Sequence, residues 1–172
     1  RFFAKHSDKA LDVTGASTAN GAKLIQYGYH GGENQIIRPD RLGDGTYRLV
    51  VQHSSKVLDV EGASTARGAR IIQYDWHGGN NQRFRIEPLG DNYVRVIAHH
   101  SGKVLDVTGS STADRAQIIQ WDWHGGDNQR WLITAPITAK HSGKVLDVEG
   151  ASTGNRANVN QYTYHGGGNQ IF

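Results

Sequence analysis

Four residue types recur at fixed spacing along this chain of 172 residues. From Asp12 it is 15 residues to Tyr27, 18 to His30 and 22 to Asn34. The same offsets run from Asp59 to Tyr74, His77 and Asn81, and from Asp106 to Trp121, His124 and Asn128. They run a fourth time from Asp147 to Tyr162, His165 and Asn169. A carboxylate accepts from two neighbouring hydroxyls, and charge-assisted bonds are the stronger kind. Asn both donates and accepts, which suits a hydroxyl that does both. An aromatic face covers a patch of C–H groups and removes it from water. A His on the adjacent loop adds a donor or closes the rim. The set fits a polyhydroxylated ring with one C–H face. Each such bond contributes about 0.5–1.5 kcal/mol net, so a single shallow site should bind weakly.

Other chemistry is less well served. Asp beside His also raises hydrolysis or a metal site. A catalytic centre, however, is normally built once, from unlike residues converging on one pocket. Here every candidate comes in four copies, with no Ser-His-Asp or H-E-x-x-H pattern. One His and one Asp per copy are too few ligands for zinc. The chain has no Cys, which removes disulfides and thiolate metal sites. The sequence therefore predicts no enzyme, no metal and no cofactor. A net charge of +3 without basic runs does not argue for nucleic acid. No stretch approaches the roughly 18 apolar residues of a membrane span, so membrane insertion is not expected either.

The elements that must position the quartet are repeats. The phrase H-S-x-K-x-L-D-V begins at His6, His53, His100 and His141, with spacings of 47, 47 and 41 residues. The phrase H-G-G-x-N-Q begins at His30, His77, His124 and His165. The 22 glycines are mostly punctuation within this unit rather than low complexity. In the second copy, Tyr47–Val51, Val57–Val60, Ile71–Tyr74 and Phe84–Ile86 read as short strands, and Leu89 to Asn92 as a turn. No window sustains a 3.6-residue period, so helices should be few. This is an all-β chain with four strands per repeat. Period and length alone also allow a four-bladed propeller.

The linking motifs carry a resemblance. L-D-V-x-G-x-S-T, then I-Q-[YW], then N-Q-R-[WF] resembles the ricin-type β-trefoil lectins, also known as family 13 carbohydrate-binding modules with Q-x-W repeats. The Q-x-W places are Gln35-Ile36-Ile37, Gln82-Arg83-Phe84, Gln129-Arg130-Trp131 and Gln170-Ile171-Phe172. The resemblance covers essentially the whole chain and implies a β-trefoil. It also implies that Asp12, Tyr27, His30 and Asn34, with their three sets of counterparts, form sugar pockets. Many members carry a disulfide within each unit. Here its places hold Ala10 and Tyr29, Val57 and Trp76, Val104 and Trp123, and Val145 and Tyr164, so an apolar–aromatic contact would stand in for each bridge.

A trefoil uses three units and this chain has four. Residues 1–136 are expected to form one trefoil, with repeats at about 1–46, 47–93 and 94–136. Residues 137–172 would be a fourth trefoil-type repeat, swapped with a partner chain in a homo-oligomer or starting a second trefoil. A closed four-unit domain is the alternative. The implied function is a multivalent, non-catalytic lectin for galactose-type glycans: the cis 3-OH and 4-OH of galactose suit a carboxylate, and its other face stays free for stacking. The alternatives are a module of a glycoside hydrolase binding xylan or a related polysaccharide, or the cell-binding part of a toxin. The resemblance alone suggests an extracellular, secreted setting. Each residue also has a plainer reading. The Asp of L-D-V can bond turn amides, the Asn can brace its loop, and the His can cap it. His6, His53, His100 and His141 read as supports at strand ends, and the Q-x-W glutamines as core.

Overall fold

Short apolar runs between Gly, Ser and Asn form strands of three to seven residues in the computed structural model, which describes residues 1–165 and 167–170. Ile171 and Phe172 of the last Q-x-W place, and Gly166 of the last H-G-G, lie outside the described residues. The chain divides into two units, Arg1–Ile133 and Thr134–Phe172, three residues before the division expected from the sequence.

The first unit holds three copies of one four-strand pattern. They are β1 (Phe2–Ala4), β2 (Ala10–Val13), β3 (Leu24–Tyr27) and β4 (Ile37–Arg41); β5 (Tyr47–Val51), β6 (Val57–Val60), β7 (Ile71–Tyr74) and β8 (Phe84–Gly90); and β9 (Tyr93–Ala98), β10 (Val104–Val107), β11 (Ile118–Trp121) and β12 (Trp131–Ile133). Strands β4 and β5 form an antiparallel hairpin, as do β8 and β9. The β8–β9 turn uses Asp91 and Asn92, both at positive φ, the backbone a tight twisted hairpin requires. The third such pair is made by the two ends of the unit: β1 lies antiparallel to β12, with Phe2 opposite Ile133 and Ala4 opposite Trp131. Matching backbone bonds of 2.9 Å join Lys5 to Arg130, Gln52 to Ile36 and His99 to Arg83. The ring thus closes on three repeats, and neither a closed four-unit domain nor a four-bladed propeller describes it. This is an all-β, β-trefoil architecture.

The hairpins β2–β3, β6–β7 and β10–β11 meet through single bridges, Lys23 to Ile72, Ile25 to Gln117 and Arg70 to Ile119. The core is threefold as well. Phe2, Leu49 and Val96 come from one position of the repeat, Leu24, Ile71 and Ile118 from another, and Ile37, Phe84 and Trp131 from the Q-x-W place; none is more than 2% exposed. Fully burying side chains of this size contributes about 1.5–3 kcal/mol each. The indole of Trp131 also finds a partner, donating to Leu105 O at 3.2 Å.

Polar groups stitch neighbouring repeats together. Gln73, fully buried, donates from Nε2 to Ser17 O (2.7 Å) and Ala19 O (2.9 Å) of the first repeat. His53 Nε2 bonds the same Ser17 O at 2.9 Å, and Ser54 Oγ donates to Gln73 Oε1 at 2.8 Å. Gln120, His100 and Ser101 grip Ser64 and Ala66 in the same way. Gln26, His6 and Ser7 grip Ser111 and Ala113. Each repeat therefore holds another, head to tail, until the circle closes.

The second unit holds one hairpin of the same kind, β13 (Val145–Val148) with β14 (Val159–Tyr162), Asp147 opposite Asn160. A bridge from Thr138 to Val145 stands where β1 meets β2 in the first repeat. Among the described residues no helix is long and apolar enough to cross a membrane.

Candidate functional site

Each quartet assembles around its Asp. L-D-V forms β2, β6, β10 or β13, and its Asp is buried: Asp12, Asp59, Asp106 and Asp147 are each 5% exposed or less. In the third repeat three donors converge on one oxygen. Asn128 Nδ2, Gln129 Nε2 and His124 Nε2 lie 3.0, 2.8 and 3.5 Å from Asp106 Oδ2. The fourth repeat repeats this on Asp147 Oδ2, from Asn169 at 3.1 Å, Gln170 at 2.7 Å and His165 at 3.3 Å. In the first, Asn34 (2.9 Å) and His30 (3.3 Å) reach Asp12 Oδ2. In the second, Asn81 takes Oδ1 of Asp59 and His77 lies 3.4 Å from Oδ2.

The loop carrying the His is built to aim it. The first glycine of H-G-G turns the chain at positive φ, 80° at Gly31. The second leaves no room for a side chain: a Cβ on Gly32 would stand 2.6 Å from both Asn34 Oδ1 and His30 Cε1, and Gly79 and Gly126 are equally tight. The amide of Gly32 donates to His30 Nδ1 at 3.2 Å. An Nδ1 that accepts leaves the ring proton on Nε2, the atom turned toward Asp12. Gln35 locks the loop from below, accepting from His30 N and donating to Gly28 O, both at 3.0 Å. Gln82, Gln129 and Gln170 do the same in their loops.

The aromatic member stands beside this cluster and stays open to water. Tyr74 and Trp121 are 41% and 37% exposed although they sit at the ends of buried strands. Tyr27, Tyr74 and Tyr162 each meet their His edge to face, at 6.1–6.2 Å between ring centres. Asp, aromatic, His and Asn together line one open depression in every repeat, beside the turn that follows L-D-V. The depressions measure 320–550 Å³, the small end of the range for ligand pockets.

Burial raises Asp12, Asp59 and Asp106 above the ordinary carboxylate range, because it strips water from the charged form. Hydrogen bonds from Gln35, Gln82 and Gln129 oppose that shift, as do the nearby histidines. Among the described residues no three His, Asp or Glu side chains gather as a metal site would need.

All four quartets are brought together, but the roles within them divide. Asn34 uses its amide on Asp12 and on Val13 O (3.3 Å), so it braces the carboxylate and has only Oδ1 left to offer. The Q-x-W glutamines, read from the sequence as core, also support the Asp. Contributions from another repeat were not legible. Arg115 lines the first depression, Gly21 the second, and Arg67 lies 5.9 Å from the Trp121 ring centre in the third. A linear pattern has no signal for these, since the neighbour is set by ring closure. Three of the aromatics at the disulfide places have ring partners. Phe3 packs on Tyr29 at 5.6 Å, while Arg48 and Arg83 lie over Trp76 and Arg95 over Trp123. His6, His53 and His100 belong to the stitches between repeats.

The model of the ricin-type β-trefoil lectin-like domain matches residues 1–74, 80–162 and 127–172. The chain belongs to this ricin-type lectin-like family. Among solved structures, a designed threefold-symmetric protein, ThreeFoil, is similar to it at 56% identity and a TM-score of 0.75. That match covers 76% of this ricin-type chain and 94% of ThreeFoil. An exo-β-1,3-galactanase from Clostridium thermocellum is 36% identical with a TM-score of 0.75, over 77% of this chain and 29% of the galactanase. The ricin B-like lectin of Macrolepiota procera, solved with lactose, shares the fold at 21% identity and a TM-score of 0.66, over 77% and 91% of the two chains. No curated protein sequence matches.

Proposed function

We propose that this chain is a multivalent, non-catalytic lectin whose four quartets each hold one galactose-type sugar. The observation that carries the reading is the buried carboxylate of the third and fourth repeats, with one oxygen fully engaged. With Asn128, Gln129 and His124 on Oδ2, Asp106 keeps Oδ1 for a ligand. That oxygen can accept from two adjacent hydroxyls. Neighbouring cis hydroxyls such as the 3-OH and 4-OH of galactose suit it. The half-buried ring of Tyr27, or the exposed ring of Tyr74, Trp121 or Tyr162, would lie against the sugar's C–H face. Asp is then the hydrogen-bonding anchor and the aromatic the platform. His and Asn hold the carboxylate, with His Nε2 and Asn Oδ1 at the ligand's edge. Support also comes from the lactose complex of the Macrolepiota procera lectin. Such glycans are displayed outside cells, so this reading places the chain there.

A second reading has its own support. The likeness to a galactanase, of which this chain spans 29%, fits a binding module that delivers a glycoside hydrolase to polysaccharide. Calorimetry with galactose, lactose, xylose and arabinose, run beside red-cell agglutination with the same sugars as inhibitors, separates the two. The lectin reading expects heat and inhibition from galactose and lactose. Retention on insoluble xylan without agglutination would favour the module. Absence of heat with every sugar, at high millimolar concentration, would sink both.

A further inference from the structure

The second unit displays the face that the first unit buries. Ile137 and Val159 are each 55% exposed, whereas their counterparts Phe2, Leu49 and Val96, and Leu24, Ile71 and Ile118, are fully buried. Leu146 and Val148 are partly exposed, although Leu11, Leu58 and Leu105, and Val13, Val60 and Val107, are fully buried. These four positions stay apolar in the last repeat, where exposure to water would favour polar residues.

The stitching groups are present there too. Ser142 Oγ donates to Gln161 Oε1 at 2.7 Å, which holds this glutamine as Ser54 holds Gln73. Gln161 is exposed where Gln26, Gln73 and Gln120 are fully buried. Among the described residues, neither its Nε2 nor His141 reaches a carbonyl, and Ser152 O receives no donor. The last repeat thus carries both halves of a head-to-tail contact. Its donors are His141 and Gln161, and its acceptor is the backbone beginning at Ser152.

We propose that three copies of this chain pool their fourth repeats into a shared second β-trefoil, making a homotrimer. A heterologous contact of this kind forms a ring when its rotation closes. The first unit shows that this particular contact closes after three repeats. The fourth repeat is complementary to itself in that sense: His141, Gln161, Ser142 and the apolar Ile137, Leu146, Val148 and Val159 are in place, with Asn160 the one polar exception. Asn160 stands where Ile25, Ile72 and Ile119 stand, a place that bridges repeats through the backbone. Charge does not oppose assembly, since Thr134–Phe172 holds three Lys or Arg against two Asp or Glu. The proposal stands apart from sugar binding. Its consequence for the lectin reading would be three sets of four quartets in one particle.

Light scattering on the 172-residue chain tests this. The expected mass is about 57 kDa, three times 18.9 kDa, with or without lactose. Val159→Asp should return the chain to a monomer. Its side chain is exposed in the single chain, so the first unit should keep its thermal transition. Val159→Ile should leave the assembly intact. A wild-type mass of one or two chains overturns the proposal, and so does an assembly indifferent to Val159→Asp. Calorimetry on the same samples keeps the two readings separate: a trimer that binds no sugar would leave this inference standing and remove only the proposed function.

Discussion

The carboxylate of each quartet is buried, yet it would accept a hydroxyl most strongly when charged. Asp59→Asn keeps the shape and removes the charge. Hydrogen bonds to charged groups contribute about 1.5–3 kcal/mol, so affinity at the second site should fall on the order of tenfold to a hundredfold. Calorimetry should count one site fewer, with the thermal transition recorded beside it to check that the fold is kept. Acid separates the two properties as well. Asp12, Asp59 and Asp106 have folded values raised above the ordinary carboxylate value of about 3.9. Between those values the folded chain binds more protons than the unfolded chain, so these groups stabilise the fold as pH falls. The anionic acceptor disappears over the same window. Asp44, Asp75, Asp114 and Asp122 are shifted the other way; Asp44, held by Thr46 and Arg83, lies at about 2. Their stabilisation is lost only as pH falls below 3.9 toward their folded values. Titration from pH 7 should therefore show sugar binding fading above pH 4 and unfolding setting in below it. Coincident loss of both would show that the raised carboxylates do not control binding.

At the scale of strands and loops, stability rests on the buried stitches. Gln73→Ala leaves Ala19 O without its partner and takes from Ser17 O one of its two donors and from Ser54 Oγ its acceptor. One unsatisfied buried group costs about 1–3 kcal/mol. The urea midpoint should drop accordingly with an unchanged m-value, since the surface exposed on unfolding is the same. His53→Ala should cost less, because His53 is only half-buried and Gln73 still serves Ser17 O. If Gln73→Ala matches wild type, the seam is not what joins the repeats. These seams also mark what the sequence can and cannot reveal. The strands around Val57–Val60 and Ile71–Tyr74 are legible because apolar runs end in Gly, Ser and Asn. The quartet is legible because its offsets never change. The partner of His53 is not, since Ser17 becomes its neighbour only through the three-dimensional order of repeats. Nor is the role of Gln35: a fully buried amide looks like core until its bonds to His30 N and Gly28 O are seen. Arg115 escapes for the same reason as Ser17, because it reaches the first site from another repeat.

Across the whole molecule, the proposed lectin reading gives repetition a purpose. One depression offers a few hydrogen bonds and one aromatic face, so on that reading its affinity for a free sugar is modest. Once one site is occupied on a surface dense in galactose, the next binding event is intramolecular. Avidity can then exceed single-site affinity by roughly 10² to 10⁴ where the geometry allows. The closed ring spaces Asp12, Asp59 and Asp106 at equivalent places of three repeats, so no two of their quartets share a repeat. A stepwise series should expose this coupling: Asp59→Asn, then Asp12→Asn added, then Asp106→Asn. Calorimetry with lactose should lose one site at each step while the remaining sites keep their affinity. Agglutination titre and retention on a galactose-bearing surface should fall far more steeply than the number of sites. A titre that declines only in proportion to the sites remaining would mean that each acts alone, and the repeat would then need a different purpose.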